Sequence, residues 1–171
     1  MQLDALAMIK PGVLWDTIHE TVHKILIQGF LDLGIFHNGT VDEILANRTS
    51  CAFLPHGLGH HMGMDTHDTG GHPNYSDPDP MYKYLRVRIP LKERAVITVE
   101  PGVYFCEFII KPYLDDPKHN KYINREVLDR YWTVGGVRIE DDVLVTKDGY
   151  ENLTNVVKEI DDVERTVNNT V

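Results

Sequence analysis

The sequence HGLGHHMGMDTHDTGG spans residues 56–71 and, together with His72, holds five of the nine histidines in the chain. Histidine is the commonest metal ligand in proteins, and glycine permits close backbone approach and tight turns. Apolar Leu58, Met62 and Met64 lie between the histidines, so the stretch differs from a solvated tag. It predicts either a metal-binding or catalytic loop, or a polar, glycine-rich loop whose histidines are incidental.

The composition predicts one soluble globular domain over residues 1–171. Hydrophobic residues make up 42% of the chain and charged residues 25%, which is ordinary for this class. The net charge of -9 disfavours nucleic acids and anionic membranes as partners, because both are negatively charged. The chain has neither an apolar run long enough for a membrane span nor a signal-peptide pattern at its N-terminus. Because Cys51 and Cys106 form no CxxC pair, no disulfide framework is expected, and the expected location is cytoplasmic.

The longest predicted element is a helix over residues 13–33, in which apolar residues recur at helical spacing and Gly34 is a typical end signal. Within it, the residues from His19 to His23 read HExxH, the helix motif of zinc proteases. A simpler interpretation competes with a zinc site, namely that both histidines lie at the edge of the apolar stripe. No third ligand follows at the HExxHxxGxxH spacing.

Shorter elements are predicted from apolar runs and turn residues. Predicted strands lie at residues 51–54, 95–99, 103–105 and within 137–145, with an extended segment at 85–90. Predicted helices lie at residues 41–47, 124–131 and 158–166, and Thr40 and Glu43 form a capping box for the first of them. Residues 72–84 are a predicted surface loop, a candidate lid or pocket wall, and residues 111–122 are a predicted loop with room for one helical turn.

Three separate segments each offer one candidate metal ligand: His60, Glu100 and Glu140. A carboxylate between two apolar runs is costly to bury unless it is paired or bound to a metal. One histidine with carboxylates is an oxygen-rich set, which suits manganese, cobalt or iron better than a structural zinc. The sequence therefore predicts a metal site assembled from these three segments.

Three ordered motifs, HGLGHHMGMDTHD, ITVEPGVYF and GGVRIEDDVLVT, resemble the C-terminal motifs of the proline-specific metallopeptidases with the pita-bread fold. The resemblance is to prolidase, the Xaa-Pro dipeptidase, before Xaa-Pro aminopeptidase, and it runs from about Lys10 to Thr154. It implies an α+β structure, the C-terminal part of a pita-bread (creatinase/aminopeptidase-like) fold. In that fold a curved, mostly antiparallel sheet carries helices on its outer face.

The resemblance implies a dinuclear metal site in the whole enzyme. In it His60 is the single histidine ligand, Glu100 is a carboxylate ligand of the same metal, and Glu140 bridges both metals. The implied metal is Mn²⁺, with Co²⁺, Zn²⁺ or Fe²⁺ as alternatives. Such metals lower the pKa of a bridging water and polarise the scissile carbonyl.

The same resemblance implies catalytic and substrate-binding residues. Glu100 and His67 are the implied catalytic residues, and His67 also contacts the substrate and steadies the tetrahedral intermediate. His56 lines the pocket near the proline, and Arg86 holds the carboxylate of the dipeptide. Arg138 supports the bridging glutamate from behind.

The chain departs from the family pattern at its N-terminal end. The family's two metal-binding aspartates and one histidine precede all the motifs seen here, and neither Asp4 nor Asp16 stands in such a pattern. The expectation is therefore the C-terminal part of such an enzyme without its N-terminal half, impaired on its own. An exposed edge strand or apolar face is expected, which invites a homodimer or the missing half as partner. A smaller departure is LKER at residues 91–94, where the family has a Pro-Gly turn.

The motifs thus favour metal-dependent hydrolysis of Xaa-Pro dipeptides as the function. Arg86 and the motif spacing favour a dipeptidase, and an Xaa-Pro aminopeptidase is the near alternative. Two further hypotheses come from other classes. One is a non-catalytic module that binds a proline-containing peptide or a partner chain, and the other is a zinc protease built on His19 and His23.

Overall fold

The computed structural model describes residues 1–168 as helices packed with small sheets. The helices are α1 (Gln2–Ala7), α2 (Trp15–Asp32), α3 (Val41–Ala46), α4 (Glu107–Asp115), α5 (Pro117–Asn120), α6 (Arg125–Leu128) and α7 (Ile160–Val167). The strands are β1 (Val96–Val99), β2 (Gly102–Tyr104), β3 (Gly136–Arg138), β4 (Asp141–Val145) and β5 (Tyr150–Asn152). Single 3-10 turns span Thr49–Ala52 and Trp132–Val134.

The named strands pair only in antiparallel fashion within residues 1–168, which confirms the expected α+β class. One sheet has the order β1-β4-β5, and β2 pairs with β3 in a separate ladder. Val99 pairs with Asp141, and Gly102 pairs with Arg138. The same two chain segments therefore run side by side through both ladders, and the strands predicted from residue 95 onward are confirmed with shifted ends.

Helix α2 confirms the helix predicted over residues 13–33. Leu14 precedes it in an extended conformation, and the chain turns away at Gly34 with a φ of 75°. Ile18, Val22 and Leu26 recur at helical spacing and are buried. Removing each such side chain from water stabilises the fold by about 2 kcal/mol. The helix is therefore held by its apolar face rather than by its ends.

Several short elements differ from the prediction. Residues 51–54 form no strand, because Ser50 O accepts hydrogen bonds from the backbone N–H groups of Phe53 and Leu54 in a tight turn. Such a short apolar run is buried equally well as strand or turn, so periodicity did not distinguish them. The predicted loop at 111–122 contains most of α4 and all of α5, with Pro112 inside α4.

The remaining predictions of short elements hold more closely. The capping box of Thr40 and Glu43 is present at the start of α3. Helices α6 and α7 lie within or beside the ranges predicted for them. Residues 85–90 form no named strand and contribute a single backbone bridge, between Pro90 and Leu14.

The HExxH residues of α2 lie in the core instead of at the edge of the apolar stripe. His19 and His23 are both 0% exposed. The Nε2–H group of His19 donates to Met81 O at 2.8 Å, and His23 Nδ1 lies 2.8 Å from Ser50 Oγ. Within residues 1–168 the pair belongs to no three-ligand group of His, Cys or carboxylates. The geometry therefore argues against a zinc protease built on this helix.

Exposed apolar side chains occur, as expected, but they lie on separate elements. Phe108 on α4 is 88% exposed, Val137 on β3 is 57% exposed, and Ile160 and Val167 on α7 are each 74% exposed. Together they leave apolar area available to a partner. Among the described helices, none is both long and apolar enough to cross a bilayer.

The buried histidines predict a loss of stability in acid. Burial lowers the pKa of His19 from 6.5 to about 4 and lowers that of His23 as well. Below pH 6.5 these two histidines bind protons more readily in the unfolded chain than in the folded chain. The free energy of unfolding therefore falls as pH falls. His19 alone accounts for a loss of about 2 kcal/mol between pH 7 and pH 5. Urea unfolding at pH 7 and at pH 5 measures this difference in the free energy of unfolding.

A matched variant isolates this histidine from the carboxylates that also titrate in acid. His19→Gln keeps an N–H donor for Met81 O but does not titrate. Its stability difference between pH 7 and pH 5 should be smaller than that of the wild type by about 2 kcal/mol. Equal differences in the two proteins would contradict the assignment.

Candidate metal centre

Strand β1 has backbone partners along both edges. It pairs with β4 on one side, and on the other the histidine-rich segment forms a ladder with it. In that ladder Thr98 N donates to His60 O at 2.9 Å, and Glu100 N donates to Leu58 O at 2.8 Å. This part of the histidine-rich stretch was predicted as a loop. It is instead an extended segment that is hydrogen-bonded to the sheet.

This register brings the three predicted metal ligands onto one face. Val99 pairs with Asp141 and Gly102 pairs with Arg138, so the register continued between these pairs sets Glu100 opposite Glu140. Alternate residues of a strand share a face, and paired residues of neighbouring strands lie side by side. One donor atom from each of His60, Glu100 and Glu140 lies within 4.8 Å of the other two. His60 and Glu100 are buried, and Glu140 is exposed.

Hydrogen bonds fix the orientation of His60. Its Nδ1–H group donates to His61 O at 3.0 Å, so the lone pair of the neutral ring lies on Nε2. Nε2 lies 3.4 Å from Glu100 Oε1. A backbone carbonyl that holds one ring nitrogen while the other faces an open position is the usual arrangement around a metal-binding histidine.

The charges around Glu100 are suited to a cation. Burial, together with the negative charge of Glu140, raises the pKa of Glu100, while the Arg138 guanidinium opposes this rise. Arg138, which was expected to support Glu140, donates instead to Glu100 Oε2 at 3.1 Å, and Thr98 Oγ1 donates to Oε1 at 3.3 Å. A divalent cation between the carboxylates would remove the repulsion that one arginine leaves uncompensated. The donor set therefore fits a metal ion.

Tyr104 connects two predicted site residues, although the sequence did not single it out. Arg138 Nε donates to Tyr104 Oη at 2.6 Å, and Tyr104 Oη lies 3.0 Å from His56 Nε2. Because His56 Nδ1–H donates to Gly57 O, Nε2 of the neutral ring accepts the tyrosine hydroxyl. Burial lowers the pKa of His56, which keeps this ring neutral.

The pairing of β2 with β3 contains a signal that points to Tyr104. A Cβ on Gly102 would lie 2.4 Å from the tyrosine hydroxyl, and one on Gly136 would lie 2.6 Å from its ring. Gly136 and Tyr104 are paired directly, and Gly102 pairs with Arg138. Two glycines at these cross-strand positions thus make room for the aromatic ring.

Most of the predicted residues line one cleft of about 280 Å³: His56, His60, His67, Arg86, Glu100 and Arg138. Glu140 stands outside its lining but within the ligand group. The rings of His60 and His67 meet edge to face with centroids 4.4 Å apart. Tyr75 and Tyr84 complete the wall, as expected for the loop at residues 72–84.

The two arginines of the extended segment at residues 85–90 have different surroundings. Arg86 faces the cleft, where its guanidinium donates to Tyr75 Oη at 3.4 Å and lowers the pKa of His67. Arg88 instead forms ion pairs with Asp16 at 2.9 Å and with Asp77 at 3.0 Å. Arg86 is therefore the arginine available to a ligand, and Asp16 is occupied elsewhere.

Comparison with known proteins identifies the family. Residues 1–147 match the profile of metallopeptidase family M24. The chain belongs to metallopeptidase family M24. A relative from Tuber melanosporum named "Probable Xaa-Pro aminopeptidase" is 67% identical over 168 residues, covering 98% of this chain and 37% of its own length. A relative of the same name from Botryotinia fuckeliana is 60% identical, with 98% and 36% covered. The chain thus spans little more than a third of these relatives.

Solved structures give the same family and fold. Aminopeptidase PepP of Pseudomonas aeruginosa is 32% identical with a TM-score of 0.70, covering 98% of this chain and 32% of that one. Zinc-substituted aminopeptidase P of Escherichia coli in complex with product is 32% identical with a TM-score of 0.69, with 99% and 32% covered. The match confirms the expected C-terminal part of the pita-bread fold. These names correspond to the aminopeptidase alternative and lend no support to prolidase.

The close approach of the histidine segment to β1 predicts a strict requirement at Gly59. A Cβ there would lie 1.9 Å from Thr98 O, a backbone atom that cannot move without breaking the ladder. Gly59→Ala should lower the free energy of unfolding by about 3 kcal/mol. Gly29→Ala is the control, since a Cβ at Gly29 in α2 has open space and Ala favours a helix. Denaturant unfolding of both variants measures the effect, and a neutral Gly59→Ala would refute the ladder.

Proposed function

We propose that this chain supplies part of the active site of an Xaa-Pro aminopeptidase, which removes the residue before proline from the N-terminus of a peptide. The carrying observation is the group of His60, Glu100 and Glu140, whose donor atoms lie within 4.8 Å of one another beside a cleft. Membership in family M24 and the names of the relatives support the same proposal.

The proposed cofactor is a divalent cation held by His60, Glu100 and Glu140. The oxygen-rich donor set favours Mn²⁺, with Co²⁺, Fe²⁺ and Zn²⁺ as alternatives. When bound, such a cation activates water as a nucleophile and polarises the scissile carbonyl. This ligand group serves one cation, so the second metal of a dinuclear site would need ligands from elsewhere.

The other cleft residues are proposed to bind and orient the peptide. His67 is exposed at the cleft beside His60, where a ring N–H donates to the peptide carbonyl and stabilises developing negative charge. Glu100 is proposed to act in catalysis as a carboxylate ligand of the cation, since metal binding requires the deprotonated form of the side chain. Arg138 holds the Glu100 carboxylate in place through its 3.1 Å contact. His56, fixed by Tyr104, forms the wall proposed to face the proline ring.

Hydrolysis of Xaa-Pro dipeptides is a second candidate, favoured by one observation. The Arg86 guanidinium faces the cleft, and within residues 1–168 its hydrogen-bond partner is the Tyr75 hydroxyl at 3.4 Å. An arginine in that position suits a bidentate contact with the free carboxylate of a dipeptide. In the aminopeptidase proposal the same guanidinium binds a backbone carbonyl of a longer peptide.

Metal binding should depend on the three proposed ligands. His60→Ala and Glu140→Gln should each weaken Mn²⁺ binding by more than about 100-fold, since a lost ligand costs more than a lost outer contact. Elemental analysis after manganese incubation and dialysis measures the stoichiometry, with one metal expected in the wild type. His37→Ala is the control outside the ligand group. Retention of metal by His60→Ala would refute the site.

Substrate length distinguishes the candidate reactions. The tripeptide Gly-Pro-Ala and the dipeptide Gly-Pro are offered to the metal-loaded protein, and amine release is followed. An aminopeptidase should cleave the tripeptide faster, whereas a dipeptidase should prefer Gly-Pro and lose that preference in Arg86→Gln. Peptide binding that persists without metal would instead favour a non-catalytic binding module.

A further inference from the structure

A buried glutamine joins the two strands that carry the proposed carboxylate ligands. The side-chain amide of Gln2 donates one hydrogen bond to Val99 O at 2.9 Å and another to Asp141 Oδ2 at 2.6 Å. Val99 directly precedes Glu100 in the chain, and Asp141 directly follows Glu140. One side chain from α1 therefore binds both strand ends next to the ligands.

Asp141 lies behind the ligand group. Because successive strand residues point to opposite faces, the Asp141 side chain faces away from that of Glu140. It is 1% exposed and lies 2.8 Å from Lys158 Nζ. A buried carboxylate is tolerated when it is paired with a cation and hydrogen-bonded, and here Lys158 and Gln2 meet both conditions.

Lys158 reaches Asp141 from the segment that follows β5. Its Nζ also lies 3.4 Å from Thr154 O and 3.3 Å from Val156 O, so the segment folds around the ammonium group. The same segment is bound to β4, because Leu153 N donates to Asp142 O at 2.8 Å. The lysine is thus anchored to the strand that it supports.

We propose that Gln2, Asp141 and Lys158 form a clamp that positions Glu100 and Glu140 for the metal. This strand clamp rests on the proposed metal centre, and its members are positioning residues that touch neither metal nor substrate. Without it, repulsion between the two ligand carboxylates would push the strand ends apart until a cation arrived. With it, the metal meets ligands that are already in place, which lowers the cost of binding.

The test compares manganese affinity and local hydrogen exchange in the intact chain. Lys158→Met removes the buried ion pair, Lys158→Arg restores its charge, and Lys147→Met removes an exposed lysine in the β4–β5 turn as a matched control. Titration calorimetry should show Mn²⁺ binding weakened at least tenfold in Lys158→Met. Lys158→Arg should recover most of this affinity, and the control should match the wild type.

Hydrogen exchange in the metal-free protein tests the strand clamp independently of metal binding. Amides at residues 98–100 and 141–143 should exchange at least tenfold faster in Lys158→Met, while those of α2 stay unchanged. If that variant unfolds, Gln2→Met replaces it, because it removes both amide contacts and leaves the ion pair. Wild-type rates at these amides in a folded variant would overturn the clamp. A wild type that binds no manganese would refute the proposed function, and exchange would still decide the clamp.

Discussion

The pairing of strand β1 along both of its edges is the constraint on which the candidate site depends. On one side the ladder with β4 sets Glu100 opposite Glu140, and on the other the ladder with the histidine segment sets His60 beside Thr98. No single segment contains a site, since each contributes one ligand. A one-residue slip in either ladder would turn a ligand to the opposite face. The fold and the chemistry are therefore specified by the same backbone hydrogen bonds.

The candidate site carries an excess of negative charge that the surrounding side chains only partly neutralise. Glu100 and Glu140 face each other, and among residues 1–168 the guanidinium that lies 3.1 Å from one of them is that of Arg138. Arg138 is itself oriented by its hydrogen bond to the Tyr104 hydroxyl. That hydroxyl in turn donates a hydrogen bond to the His56 ring. These hydrogen bonds set the position of the Arg138 guanidinium, and burial lowers the pKa of the His56 ring that ends them. The negative excess remains at the ligands, where a cation binds.

Much of the site could be predicted from the sequence, because each ligand ends a recognisable apolar run or lies in a glycine-rich stretch. His60, Glu100 and Glu140 were identified in this way, and the structure brings them together. Tyr104 was missed because its role depends on cross-strand pairing, which a linear pattern does not display. The turn at residues 51–54 was assigned to a strand because burial alone does not select a backbone conformation. The preference for a dipeptidase, drawn from Arg86 and the motif spacing, finds no support in the relatives, which are named aminopeptidases.

The burial of His19 and His23 bears on how short sequence patterns are used to annotate proteins. Two residues four apart on a helix lie on the same face, whether that face is buried or borders a site. Here the space in front is filled by Met81, Ser50 and apolar neighbours, so the pattern encodes packing. A search for HExxH alone would group this chain with the zinc proteases, although its proposed metal ligands lie outside helix α2. The pattern becomes informative only when the environment of the helix face is known.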